Sequence, residues 1–255
     1  MKSKIQRLYL FIIYFLLYFP ILILVIFSVN KTKYSLVWHG FSSQWYQVLL
    51  NDVEIWSAFF NSAVLGITAS CIATGLGLLG CMHLFIHPHK KFRSLRNLLL
   101  LLIIIPDIVL GISLLVFFNV TNLPLGFVSL LIAHITFCLP FVILTIESRL
   151  QTLDPNLYFC ALDLGASQMA ALSKIFLPLL WPAILSAALL SFTISFDDVV
   201  TSYFVSGSDF SILPLTIYSL VRSGVTPELN ALCTITLIIS IIPILIVHKL
   251  TRKKT

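Results

Sequence analysis

The sequence predicts an all-α integral membrane protein with six transmembrane helices. Of its 255 residues, 59 % are hydrophobic and 10 % are charged; a soluble domain carries about 45–50 % and about 25 %. Mean hydropathy is +1.03. Apolar runs of about 20 residues, enough to cross a bilayer, recur six times. The basic residues fall in short clusters between them, as topology signals do. This pattern excludes a soluble enzyme, a disordered chain, a coiled coil and a secreted disulfide scaffold. It also accounts for the net charge of +6 without nucleic acid, for which no binding motif is present.

The expected spans are 8–29, 57–86, 98–118, 127–146, 183–204 and 231–247. With the amino terminus inside, thirteen of the 16 Lys and Arg residues lie on the inner side. Lys31, Lys33 and Arg222 are the outer ones. The split places both termini in the cytoplasm. The first run is longer than a signal-peptide core and lacks a small-x-small cleavage site, so a retained helix is expected. Trp38, Trp45 and Trp56 fall in the first outer loop, where an interfacial aromatic belt belongs. Cys71, Cys81, Cys138, Cys160 and Cys233 show no metal or disulfide spacing and read as packing residues. His87 and His89 flank Pro88 in a basic turn, and His83 and His134 read as hydrogen-bonded packing; no metal site is expected.

The widest interruption is the cytoplasmic stretch 147–182. Asp154 suits a helix N-cap and Pro155 a first helical position. Leu157, Ala161 and Leu164 follow at helical spacing, and Gly165 suits the left-handed residue that ends a helix. Ser167 can cap a second helix to about Phe176, which Leu177-Pro178 is expected to break. Leu157, Tyr158, Phe159 and Leu164 are apolar surface that no span covers. Packing on the chain's own spans and docking on a cytoplasmic partner are both open on physical grounds.

The frame Ala161-x3-Gly165-x9-Ile175-x-Leu177-Pro178 resembles the EAA loop of ABC-importer permeases, with Phe159 in place of the motif Glu and Cys160 in place of its first Ala. The resemblance implies a type I importer permease arrangement and a single transmembrane permease domain over 1–255, with 147–182 as coupling loop. It further implies that Leu157, Phe159, Cys160, Ala161, Gly165, Ile175, Leu177 and Pro178 couple the chain to a separate ATPase. The chain has no phosphate-binding Gly-x4-Gly-Lys-Ser/Thr loop of its own.

Asp107, Asp197 and Asp198 fall inside expected spans that hold no Lys or Arg. A central Asp costs about 2.5–3.5 kcal/mol on insertion scales, so these acids should face a water-filled path or a partner. Ser191, Ser195, Asp198 and Ser202 form a polar strip on the fifth helix, with Thr193, Asp197 and Thr201 beside it and Phe196 and Tyr203 interleaved. Three acids without bases disfavour anions and suit an organic cation, which also gains from aromatic faces. The run Phe192-Thr193-Ile194-Ser195-Phe196-Asp197-Asp198-Val199-Val200, with Ile105-Pro106-Asp107, resembles the second permease subunit of spermidine/putrescine importers. That resemblance implies a path through Asp107, Asp197, Asp198, Ser195, Ser202, Phe196 and Tyr203. It implies a sister permease, an ABC ATPase dimer and an extracytoplasmic polyamine-binding protein in a bacterial inner membrane. No cofactor is expected on this chain; ATP is used by the partner. Rival readings are a permease for another cation such as ferric iron or thiamine, a proton-coupled carrier and an intramembrane aspartyl enzyme. Neither of the last two needs a glycine-elbowed coupling loop.

Overall fold

The computed structural model describes residues 2–32, 37–86, 90–154, 156–208 and 210–252. It is nearly all-helical. The chain divides into two compact units, Met1–Ala58 with Thr216–Ile241, and Phe59–Leu215 with Ile242–Thr255.

In the first unit lies α1 (Lys2–Phe27), and none of the apolar window within its Gln6–Phe27 part is buried. The loop that follows is closed by Asn30, which is fully buried. Its Nδ2 donates to the Val37 carbonyl (3.1 Å), its Oδ1 accepts from the His39 N–H (2.9 Å), and its carbonyl accepts from Trp45 Nε1 (2.7 Å). Trp45, on α2 (Gln44–Asn51), therefore serves the packing of this loop rather than an interfacial belt, whereas Trp38 and Trp56 are exposed.

The second unit takes in most of α3 (Val53–Ile86), then α4 (Lys90–Leu101), α5 (Asp107–Val120), α6 (Phe127–Leu150) and α7 (Asn156–Asp163). It continues through α8 (Gln168–Ala171), α9 (Leu177–Asp197) and α10 (Val200–Val205). The closing elements of the chain are α11 (Leu213–Ser223) and α12 (Pro227–Arg252). The most extensive packing is between α6 and α9. Their core, including Cys138, Val142, Ile146, Leu180 and Ala187, runs on without interruption to Tyr158, Ala161 and Phe176 of the 147–182 stretch.

Among the described residues four helices are long and apolar enough to cross a membrane: Gln6–Phe27, Val53–Ile86, Phe127–Leu150 and Gln168–Asp197. Asp107–Val120 and Pro227–Ile242 are shorter apolar helices. Two expected continuous spans are broken. The 98–118 run divides into α4 and α5 at turns before Pro106, which has no N–H and disfavours helix in Ile105. Asp107 consequently stands in the first turn of a helix, not in the middle of one. The 183–204 run stops at Asp197, Asp198 is extended (ψ 122°), and helix resumes at Val200. The expected break at Leu177-Pro178 is absent. A wide turn over Leu172–Phe176 joins α8 to α9 and sets Pro178 in the first turn of the resumed helix, where a missing N–H costs little.

Candidate functional site

The helix break gathers the polar residues of the fifth apolar run. Asp197 is the last residue of α9 and its side chain is exposed. It adds full negative charge to a helix end that already carries about half a negative charge. Asp198 turns the other way. Its Oδ2 accepts from the Ser202 N–H (2.8 Å) and the Ser202 hydroxyl (2.8 Å), and its Oδ1 from the Thr201 N–H (3.4 Å). These bonds satisfy donors that the start of α10 leaves without helical partners.

His134 reaches the break from α6 and is fully buried. Nδ1 lies 2.6 Å from Ser195 Oγ, and Nε2 lies 3.0 Å from Ser202 Oγ and 3.9 Å from Asp198 Oδ2. Phe196 is buried, edge-on to Phe59 and stacked on Phe192. Tyr203 is exposed. α10 in turn lies against α5. At Gly111 a Cβ would stand 2.7 Å from Phe204 Cδ2 and 3.3 Å from Thr201 Cα, so any side chain there would push the Phe204 ring aside. Asp107 precedes Gly111 by one turn, Asp197 precedes Thr201 by the same spacing, and both acids are exposed.

The expected path residues thus separate into two groups. Asp107, Asp197 and Tyr203 face outward; Ser195, Ser202 and Phe196 are buried within the subunit. Asp198 has a side chain 11 % exposed and bonds of its own. The polar strip Ser191, Ser195, Asp198, Ser202 is not continuous, because the helix that would carry it ends at Asp197. His134 was legible only as packing; a single histidine in an apolar run gives no sign that it spans a break in another helix.

The second constellation is the 147–182 stretch. Asp154 Oδ1 accepts from the Asn156 N–H (2.9 Å) at the start of α7; Pro155 lies outside the described residues. Gly165 takes φ +86°, its N–H bonds the Leu162 carbonyl and the Ala166 N–H bonds the Ala161 carbonyl. That pair of bonds closes a helix around a left-handed residue. Ser167 Oγ accepts from the Ala170 N–H (3.2 Å) to start α8. Tyr158 is buried edge-on to Phe85 and Phe176, and Ala161 is buried beside them. Ala161 therefore seats α7 on the chain's own core, not on a partner. Its expected companions Leu157 and Leu164 point outward, with Phe159, Cys160 and Met169. Ile175 and Leu177 are half-buried and Pro178 is exposed. Beside this stretch, the Arg96–Glu147 ion pair ties α4 to α6. A cleft of about 300 Å³, lined by Cys81, Phe85, Glu147 and Leu153, opens there. His87 and His89 lie outside the described residues.

Residues 73–254 match the family "Binding-protein-dependent transport system inner membrane component". The chain is 46 % identical to the "Spermidine/putrescine transport system permease protein PotC" of Haemophilus influenzae, over 96 % of this chain and 95 % of that protein. It is 43 % identical to PotC of Escherichia coli K12, over 95 % and 92 %. It is 38 % identical to the "Putrescine transport system permease protein PotI" of Escherichia coli K12, over 87 % and 81 %. In fold it is similar to a chain of a bacterial alginate ABC transporter in complex with an alginate pentasaccharide-bound periplasmic protein. The TM-score there is 0.76 at 15 % identity, covering 99 % of this chain and 95 % of that one. The MetNI methionine ABC transporter gives 0.65 at 18 % identity, covering 84 % and 99 %. The chain belongs to the family of binding-protein-dependent transport system inner membrane components.

Proposed function

We propose that this member of the family is a permease subunit of an ATP-driven importer for polyamines, spermidine and putrescine, in a bacterial inner membrane. The observation that carries the reading is the 46 % identity, over almost the whole of both chains, to a permease named for those two amines. The chemistry agrees with it. Asp107 and Asp197 are exposed at ends of apolar helices, in runs that hold no Lys or Arg. A protonated amine meets there two carboxylates, the negative end of α9 and the ring of Tyr203. A sister permease supplies the other wall of the path, and an extracytoplasmic binding protein delivers the amine. An ABC ATPase dimer docks on Leu157, Phe159, Leu164 and Met169 and hydrolyses the ATP. This chain contributes the path and the coupling corner, with no cofactor of its own and no contact with nucleic acid.

In this reading the chain is a single permease domain with 147–182 as its coupling loop. It crosses the bilayer six times, with the broken runs 98–118 and 183–204 counted as spans, and both termini are cytoplasmic. A cysteine at position 208 is expected to react with an impermeant thiol reagent added outside, and one at position 94 is not; the reverse pattern overturns the orientation. For the cargo, cells without their own polyamine uptake would carry the complete importer. Uptake of labelled spermidine and putrescine, with no competition from ferric iron or thiamine, is expected. Uptake of either competitor instead would overturn the polyamine assignment.

A further inference from the structure

We infer that His134 and Asp198 form a staple across the helix break, and that Asp198 is a positioning residue that presents Asp197 rather than a ligand for the cargo. The role given to Asp197 rests on the polyamine reading; the staple does not. A helix that stops and restarts leaves backbone donors without partners, which is costly wherever water is excluded. Asp198 answers two of those N–H groups with one carboxylate, and the Ser202 hydroxyl takes a further acceptor position. With its side chain 11 % exposed, that carboxylate is turned back into its own chain.

The hydrogen bonds run in one direction. The Ser202 hydroxyl donates to Asp198 Oδ2, so Ser202 Oγ is left to accept from Nε2–H of His134. Nδ1 of the ring is then free to accept from the Ser195 hydroxyl. One imidazole thus joins Ser195, in the last turn of α9, to Ser202, in the first turn of α10. α6 holds the same segment at two further points. Cys138 Sγ donates to the Ser191 carbonyl (3.5 Å) and Ser129 Oγ donates to the Val205 carbonyl (2.7 Å). Three anchors on one helix, in antiparallel order, straddle the break. The adjacent acids are therefore divided in role: Asp197 is exposed and carries charge outward, and Asp198 fixes the geometry that aims it.

The test compares Asp198→Asn with Asp198→Ala in the complete importer. Asparagine keeps an acceptor oxygen and caps about as well as aspartate, whereas alanine does not. The staple predicts amine uptake within about threefold of the parent for Asp198→Asn, and a loss of about three- to thirtyfold for Asp198→Ala. The double variant Asp197→Asn/Asp198→Ala is expected to fall no further than the worse single variant, because one residue acts through the other. A cargo-free readout accompanies these. Val200 is exposed beside the break, and labelling of Val200→Cys by an impermeant thiol reagent, with the parent chain as blank, reports its geometry. Asp198→Ala and Ser202→Ala should each change that labelling rate at least about threefold, and Asp198→Asn should not. Ser202→Ala serves where Asp198→Ala does not reach the membrane. Equal uptake losses for Asp198→Asn and Asp198→Ala would overturn the proposal, as would unchanged Val200→Cys labelling in Asp198→Ala and Ser202→Ala. An importer that moves neither amine would remove the polyamine reading and leave the staple to be decided by the labelling.

Discussion

The break at Asp198 and the corner at Gly165 both interrupt a helical run, yet they are closed by different means. At Gly165 the backbone closes itself. A left-handed glycine lets two N–H groups return to the Ala161 and Leu162 carbonyls, and the aromatic packing of Tyr158 with Phe85 and Phe176 fixes the seat. Nothing polar is borrowed from elsewhere, and Leu157, Phe159, Leu164 and Met169 are left outward. At Asp198 the closure is made by side chains: a carboxylate caps the resumed helix and a histidine from α6 joins its two sides. The contrast follows from the surroundings proposed for each. A corner in water can leave its remaining backbone groups hydrated and use its side chains for docking. On its buried side a break in an apolar run has no water to call on, so the protein supplies the partners there itself. A polar residue in a span is thus ambiguous until its bonds are known: Asp198 and Ser202 spend theirs internally, and Asp197 does not.

The strongest way to break the comparison is at the aromatic seat. Tyr158→Ala removes a ring buried among Phe85, Phe159 and Phe176. Loss of such a side chain costs about 3–5 kcal/mol. The purified subunit is expected to melt at lower temperature, with the loop opening to protease. An unchanged melting curve would show that α7 does not depend on that seat. The break has its own close contact. Gly111→Leu drives a side chain into Phe204 and the Thr201 backbone, an overpacking cost of about 1–3 kcal/mol. Transport is expected to fall, with ATPase co-purification retained. Equal loss of both would mean that the two regions are not separable.

The corner should respond in the opposite sense. Gly165→Val places a β-branched residue at φ +86°, a left-handed conformation that costs an L-residue about 1–2 kcal/mol. Co-purification of the ATPase is expected to weaken, with the protein still inserted. Unchanged recovery and unchanged ATP hydrolysis would count against the coupling role. The smallest effect is expected from Phe159→Ala. Its ring is 60 % exposed, so stability should be unaffected and ATPase recovery alone should drop. A fall in melting temperature as large as that of Tyr158→Ala would show that the edge contact of Phe159 with Tyr158 holds the loop, not that the exposed ring docks a partner.

Much of this was legible in the sequence. Apolar runs marked the four helices that are long enough to cross a membrane, and Asp154, Gly165 and Ser167 announced the loop geometry, because capping and left-handed glycines depend on a few neighbouring residues. The two breaks were missed because hydropathy averages over a run and does not register a change of backbone direction. Local signals existed. Pro106 before Asp107 is a helix start, and Asp198 stands three residues before Thr201, within reach of its N–H. The outward or inward turn of each polar residue was not legible, since it depends on which helix lies alongside. Ala161 turned inward for that reason: its spacing placed it with Leu157 and Leu164, but it is buried in the core cluster that also holds Tyr158 and Phe176, with Phe85 packed against it. His134 was legible as hydrogen-bonded packing, but which residues it bonds was not, because that depends on α6 packing on α9.

The central claim is that exposed acids at Asp107 and Asp197 pass an organic cation through an apolar wall. Its most direct test is uptake of labelled spermidine and putrescine by the complete importer carrying Asp107→Asn, Asp197→Asn or both, at matched protein levels. A charge-assisted hydrogen bond contributes about 1.5–3 kcal/mol, or about ten- to hundredfold in a step that depends on it. Each single variant is expected to lose uptake on that scale, with membrane abundance and ATPase association retained. Normal uptake of both amines by the double variant would contradict the acid-lined path.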